Sequence, residues 1–92
     1  EALFAPGHTP GLMALAANTA KGIAVLGSDC GHTFKNYADE WPSIFICDLP
    51  AWVQSWDKLK AKASSLDLLF PGHDIAMSNE YPKVAPRVTR LV

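Results

Sequence analysis

The chain has 92 residues, and because 49% of them are hydrophobic it can form one small domain with a packed core. Its formal net charge is −1, and its eight Lys and Arg residues are scattered between Lys21 and Arg90, which argues against a nucleic-acid partner. No apolar run approaches the roughly 20 residues that a membrane-spanning helix needs, so a membrane partner is not expected.

The first half of the chain predicts a β-hairpin followed by a short helix. Residues 1–5 are typical of the end of an extended segment, because Ala5 precedes a proline. Residues 12–17 have the propensity of a helix, but a turn-like segment joins them to the apolar run 23–26, which has strand length. We therefore predict an antiparallel pair of strands. A helix from Phe34 to Trp41, capped by Thr33 and ended by Pro42, should follow.

The second half predicts one clear helix and one strand. Residues 43–47 are largely apolar and predict a buried connection. Asp48 can cap a helix whose apolar positions recur every three or four residues: Leu49, Val53, Trp56, Leu59 and Ala63. Two serines end it, residues 66–70 predict a buried strand, and the proline-containing tail from residue 81 predicts at most a short helix. This order predicts an α/β or α+β layer with helices on one face of a sheet.

Three glycine-containing loops follow apolar segments, and each holds a side chain that can bind a metal ion. Pro-Gly-His turns place His8 in residues 5–11 and His73 in residues 70–74, and Asp29 lies in residues 27–32. Proline fixes φ and glycine tolerates positive φ, so such loops can hold one side chain in a fixed direction. If the strands are neighbours, the three side chains converge at one edge of the sheet. Two imidazoles and a carboxylate suit Zn²⁺, Mn²⁺ or Fe²⁺.

Each chemical interpretation has a structural alternative. A single Pro-Gly-His is more often only a turn, and its repetition together with a strand-end aspartate favours a metal site. Cys30 is interpreted as a buried thiol; with Cys47 it forms no CxxC pattern, which favours a reducing, cytoplasmic compartment. His32 can be a substrate contact, a ligand, a group that orients a ligand, or a surface residue. Asp74 can orient His73 or cap the next segment.

At these motifs the chain resembles the C-terminal half of the metallo-β-lactamase superfamily, and within it the N-acyl homoserine lactonase-like group. Residues 6–11, 28–29 and 71–74 carry the superfamily resemblance. Residues 36–37 and 40–43, followed by the helix that starts with a proline and by residues 70–74, add the likeness to lactonases. It implies that residues 1–92 form half of an αββα sandwich with a mixed sheet. It also implies that His8 binds one metal ion, that His73 binds the other and that Asp29 bridges both. The implied cofactor is two divalent ions, usually zinc, with iron or manganese in some relatives.

The resemblance also implies a reaction. In the family, a hydroxide between the two metals attacks an ester, lactone or amide carbonyl, and the bridging aspartate, here Asp29, can pass a proton to the leaving group. Some relatives have a substrate-contacting tyrosine three residues after that aspartate. This chain has His32 there, and we predict that it takes the substrate-binding role, with a small ester or lactone as substrate.

One difference from the family pattern bears on the activity expected of the chain alone. The family's His-x-His-x-Asp-His run, which supplies four ligands, is absent, and the only histidines are His8, His32 and His73. We therefore expect an inactive half-domain that needs an N-terminal half or another chain, and that dimerises or aggregates when isolated. The alternatives are a non-catalytic binding or structural fragment of the same fold, and an iron-dependent oxidoreductase.

Overall fold

A computed structural model describes residues 1–92 and places four strands in one mixed sheet. Strands β1 (Ala2–Phe4), β2 (Met13–Thr19), β3 (Gly22–Leu26) and β4 (Leu69–Phe70) lie in this order. Strand β2 is antiparallel to both β1 and β3, and β4 is parallel to β3. The antiparallel pair of β2 and β3 is the predicted hairpin. Strands β1, β3 and β4 therefore run in the same direction, and their carboxyl ends meet at one edge of the sheet.

Three helices accompany the sheet: α1 (Phe34–Ala38), α2 (Leu49–Lys62) and α3 (Ala76–Asn79). Helix α2 begins as predicted, because the Asp48 carboxylate accepts a hydrogen bond from the Ala51 backbone N–H at 2.9 Å. Its buried face consists of Trp52, Ser55, Trp56 and Leu59. None of the helices combines the length and the apolar character that a membrane span requires.

Helix α2 covers one face of the sheet and forms the main core there. Alternate residues of the strands point to this face, because successive side chains of a strand point to opposite sides. The core residues they contribute are Leu3, Ala14, Ala16, Val25 and Leu69, packed with Tyr37 and the two buried tryptophans. The mixed α/β sheet with its principal helix on one face confirms the predicted fold class.

The opposite face of the sheet is only partly covered. Near β4, Ala24 and Phe70 pack against partly buried residues of α1, α3 and the tail: Phe34, Met77, Tyr81, Leu91 and Val92. Further along, four large apolar side chains are 45% to 54% exposed: Phe4, Met13, Leu15 and Leu26. Leu15 is paired with Leu26, and Phe4 with Met13, so the four form one continuous patch, hereafter the open sheet face.

Several local predictions were wrong. Residues 43–47 are not a buried connection, since Ile44 is 88% exposed and Phe45 is 68% exposed. Their backbone instead borders the first Pro-Gly-His turn, and of the three apolar side chains only that of Ile46, which is partly buried, packs against the core. Leu49 and Val53, which the helix pattern placed on the buried face, are about 40% exposed, because the side of α2 that carries the bulky indoles faces the sheet.

The segment boundaries also differ from the predictions. Helix α1 stops at Ala38, well before Pro42, and only residues 69–70 of the expected strand pair with β3, because residues 66–68 form a 3-10 turn. Helix α3 precedes the tail, and the tail itself contains no helix but a hairpin of β5 (Lys83–Ala85) and β6 (Val88–Thr89). Its turn places Arg87 at a φ of 62°, a conformation that the sequence did not signal.

Candidate metal centre

The Asp29 carboxylate lies between two imidazoles at the edge where β1, β3 and β4 end. Asp29 Oδ1 is 2.8 Å from His73 Nε2, and Asp29 Oδ2 is 3.8 Å from His8 Nε2. Each carboxylate oxygen therefore faces one histidine. All three sequence-predicted ligand candidates lie in one cluster, although 44 residues separate Asp29 from His73 along the chain.

His32 lies in the same cluster. Its ring centroid is 5.1 Å from that of His8 and 5.5 Å from that of His73, and it stands edge-on to Trp52. The donor atoms of Asp29, His32 and His73 all lie within 4.8 Å of one another. Burial lowers the pKa of His32 below its usual value, against the opposing effect of the Asp29 carboxylate. The ring is therefore biased toward the neutral form, which has a free lone pair.

Helix α2 and the segment before it hold the turn that carries His8. The Gly7 carbonyl accepts hydrogen bonds from the backbone N–H groups of Cys47 at 2.8 Å and Asp48 at 3.0 Å. His8 Nδ1 lies 2.5 Å from the carbonyl oxygen of Phe45. Because a carbonyl only accepts, Nδ1 carries the proton in the neutral ring, and Nε2 has the lone pair on the side of Asp29. The exposed segment 43–47 thus orients a candidate ligand through its backbone.

Two tryptophans fix the turn that carries Asp29. Residues Ser28–Cys30 form a 3-10 turn, and Ser28 has a φ of 50°, a strained value for a residue with a side chain. The Cys30 carbonyl accepts hydrogen bonds from both buried indoles, that of Trp52 and that of Trp56, the latter at 2.6 Å. The only sign of this role in the sequence is the spacing of the two tryptophans, which lie four residues apart on α2. The predicted apolar stripe included Trp56 but not Trp52.

We expect Trp56→Phe to destabilise the chain by about 1–3 kcal/mol, because phenylalanine keeps most of the ring but leaves a buried carbonyl with one donor fewer. Urea denaturation followed by circular dichroism measures the free energy of unfolding. Trp41→Phe is the control, since the Trp41 side chain is largely exposed and donates no hydrogen bond. Equal effects of the two substitutions would contradict the role assigned to the Trp56 indole.

The remaining candidates have structural roles. Burial raises the pKa of the Cys30 thiol to about 12, so it stays protonated near neutral pH and does not act as a thiolate ligand. The Asp74 carboxylate accepts hydrogen bonds from the backbone N–H groups of Phe34 and Ala76, both at 3.0 Å. Asp74 therefore caps neighbouring segments and does not orient His73.

The donor set fits a transition-metal ion. Three imidazoles and one carboxylate are ligands that zinc, iron and manganese accept. His32 Nδ1 is buried without a hydrogen-bond partner, which is unusual for a polar atom in a folded protein. A cation among these side chains would give the cluster a partner that the chain itself does not supply.

The chain is similar to solved structures of lactonases. No protein-family model and no curated protein matches the chain. An N-acyl homoserine lactone hydrolase with the product N-hexanoyl-L-homoserine at its catalytic metal centre is 30% identical over 94% of this chain, with a TM-score of 0.74. A mutant of B. thuringiensis AiiA with N-decanoyl-L-homoserine at its active site gives the same values. AidC, a dizinc quorum-quenching lactonase, is 22% identical over 79% of the chain, with a TM-score of 0.60, and shows the fold alone.

These matches confirm the resemblance to lactonase-like metallo-β-lactamase proteins that the three motifs predicted. The resemblance covers only part of each of these proteins, because the chain spans 34% of the first two proteins and 26% of the third. The structural similarity therefore covers about one third of the length of the two lactonase chains that are 30% identical to this chain.

Proposed function

We propose that this chain supplies part of the active site of a metal-dependent hydrolase that opens a lactone or a similar ester. The observation that carries the proposal is the meeting of His8, Asp29 and His73 at one sheet edge, with each carboxylate oxygen facing one imidazole. The similar hydrolase with N-hexanoyl-L-homoserine at its catalytic metal centre supports a lactone as the substrate class.

The proposed centre holds two divalent ions, with zinc as the first choice. His8 and Asp29 would hold one ion, and His73 and Asp29 would hold the other. Such ions, when bound, lower the pKa of water and polarise a carbonyl group. Asp29, held in place through the Cys30 carbonyl, can pass a proton to the leaving oxygen. His32 lies between His8 and His73, and therefore borders the space where the substrate would bind.

The proposed enzyme needs residues from outside these 92. Catalytic zinc ions generally have three protein ligands each, and His8, Asp29 and His73 are too few for two ions. The missing ligands would come from an N-terminal half of the domain or from another chain. The open sheet face is a surface that such a partner can cover, since large exposed apolar patches mark interaction sites.

Zinc content and lactone hydrolysis should fall together in His73→Ala, because the ion proposed to be held by His73 and Asp29 then loses one of its ligands. The measurement uses a protein in which this chain is part of a complete domain, with N-hexanoyl homoserine lactone as substrate. Ile75→Ala is the control, since Ile75 is 69% exposed, lies two residues away and offers no donor atom. Unchanged zinc stoichiometry in His73→Ala would remove this residue from the centre.

A second candidate function is a non-catalytic binding or structural module of the same fold. The open sheet face favours it, because docking to a partner needs no metal. The coding sequence upstream of Glu1 separates the two candidates. A His-x-His-x-Asp-His run there supports the hydrolase, whereas an upstream segment without ligand residues supports the module.

A further inference from the structure

We propose that the 92-residue chain has a metal site of its own, in which Asp29, His32 and His73 together hold one divalent ion without residues from elsewhere. The hydrolase proposed above does not require this site, because there His32 borders the substrate and the missing ligands come from outside the chain. The new site concerns binding by the chain alone and does not depend on catalysis.

The backbone brings the three donors together before any ion binds. The Gly72 N–H donates to the Gly31 carbonyl and the His73 N–H donates to the His32 carbonyl, both at 2.9 Å. These bonds join the loop after β3 to the loop after β4 and keep the two histidines side by side. Their donor atoms and that of Asp29 already lie within 4.8 Å of one another. Such preorganisation reduces the cost of ordering side chains upon binding.

The hydrogen bonding of the histidines distinguishes His32 from the other two. His8 Nδ1 contacts the Phe45 carbonyl and His73 Nε2 contacts Asp29, whereas His32 Nδ1 is buried without a partner. Leaving a buried polar atom without a partner is unfavourable, and the large majority of such atoms in folded proteins are paired. The His32 ring is thus held among three donor side chains by packing against Trp52, with no hydrogen bond at Nδ1 that explains its position.

The site has the composition and openness of a mononuclear metal centre. Two imidazoles and one carboxylate form a three-ligand set of the kind that catalytic zinc sites use, with a further position left open for water. His8 lies at its margin, with Nε2 3.8 Å from the Asp29 carboxylate. We therefore assign His8 a smaller contribution to this single ion than His32.

Zinc titration of the 92-residue chain by isothermal calorimetry tests the proposal, with far-UV circular dichroism of each variant to establish that it is folded. We expect one ion per chain, and about tenfold or greater loss of affinity in His32→Phe, which keeps an aromatic ring against Trp52. His8→Phe is the matched control and should lose clearly less affinity. No zinc binding by the unmodified chain, or an affinity of His32→Phe close to that of the unmodified chain, would overturn the site.

Two further measurements test whether His32 is a zinc ligand or a substrate contact. If His32→Phe does not fold, the ring ¹⁵N shifts of His32 in the unmodified chain replace it: a large shift upon zinc addition supports ligation, and no shift refutes it. If His32→Phe binds zinc normally but abolishes lactone hydrolysis in a complete domain, His32 is a substrate contact. The single-ion site then fails while the hydrolase proposal stands.

Discussion

Replacing Asp29 with asparagine should reduce the zinc affinity of the chain by about 100-fold or more, because even groups that only orient a metal ligand contribute 10–100-fold. Asp29 is the carboxylate that both His8 and His73 face, at 3.8 Å and 2.8 Å. Asparagine has nearly the same size but lacks the negative charge, and its amide nitrogen cannot act as a ligand. The loss should therefore occur without unfolding.

Zinc titration with circular dichroism measures both properties of this variant. Asp57→Asn is the control, since Asp57 lies exposed on helix α2 and should have no effect on zinc affinity. In a complete domain, Asp29→Asn should also abolish lactone hydrolysis. Zinc affinity that survives this substitution would show that the ion binds elsewhere and would remove the basis of the proposed centre.

Gly7→Ala should have the largest effect on folding. Gly7 has a φ of +140°, and a Cβ added there would lie 2.3 Å from Trp52 Cβ and 2.4 Å from Trp52 Cα. The helix backbone at Trp52 cannot move away without disturbing the core, because that side chain is fully buried. Strain and overlap together should cost about 3 kcal/mol or more, a large part of the roughly 5–14 kcal/mol expected for a chain of this length.

Gly11→Ala is a matched control within the same loop. No atom lies within 4 Å of a Cβ added at Gly11, and its φ is not in the left-handed region. Its free energy of unfolding should change by less than about 1 kcal/mol. Urea denaturation of both variants measures the difference, and a Gly7→Ala protein as stable as Gly11→Ala would contradict the close packing of the His8 turn on helix α2.

The sequence predicted the site's position because the strand ends are marked locally. Apolar runs that end in Pro-Gly-His or Gly-Ser-Asp signal both a strand and the side chain that follows it. Convergence then depends on which strands are neighbours and parallel, as β3 and β4 are. The sequence does not show which strands are neighbours, because the hydrogen bonds that join strands distant in the chain leave no local pattern.

The errors have a common physical origin in tertiary contacts. Residues 44 and 45 are apolar, and composition predicts burial, but their backbone holds the His8 turn and their side chains face outward. The helical periodicity correctly located α2, but it did not determine which side of the helix faces the sheet. That side is determined by Trp52 and Trp56, whose indoles donate hydrogen bonds to the Cys30 carbonyl. The role of His32 stayed open for the same reason, because its position depends on backbone bonds between two loops.

The most direct measurement is anomalous diffraction at the zinc absorption edge from crystals of the chain grown with zinc. We expect a peak within about 2.0–2.2 Å of a carboxylate oxygen of Asp29 and of a ring nitrogen of His73, the distances usual for zinc with oxygen and nitrogen ligands. Zinc peaks found only at positions away from Asp29 and His73 would contradict the proposed metal centre.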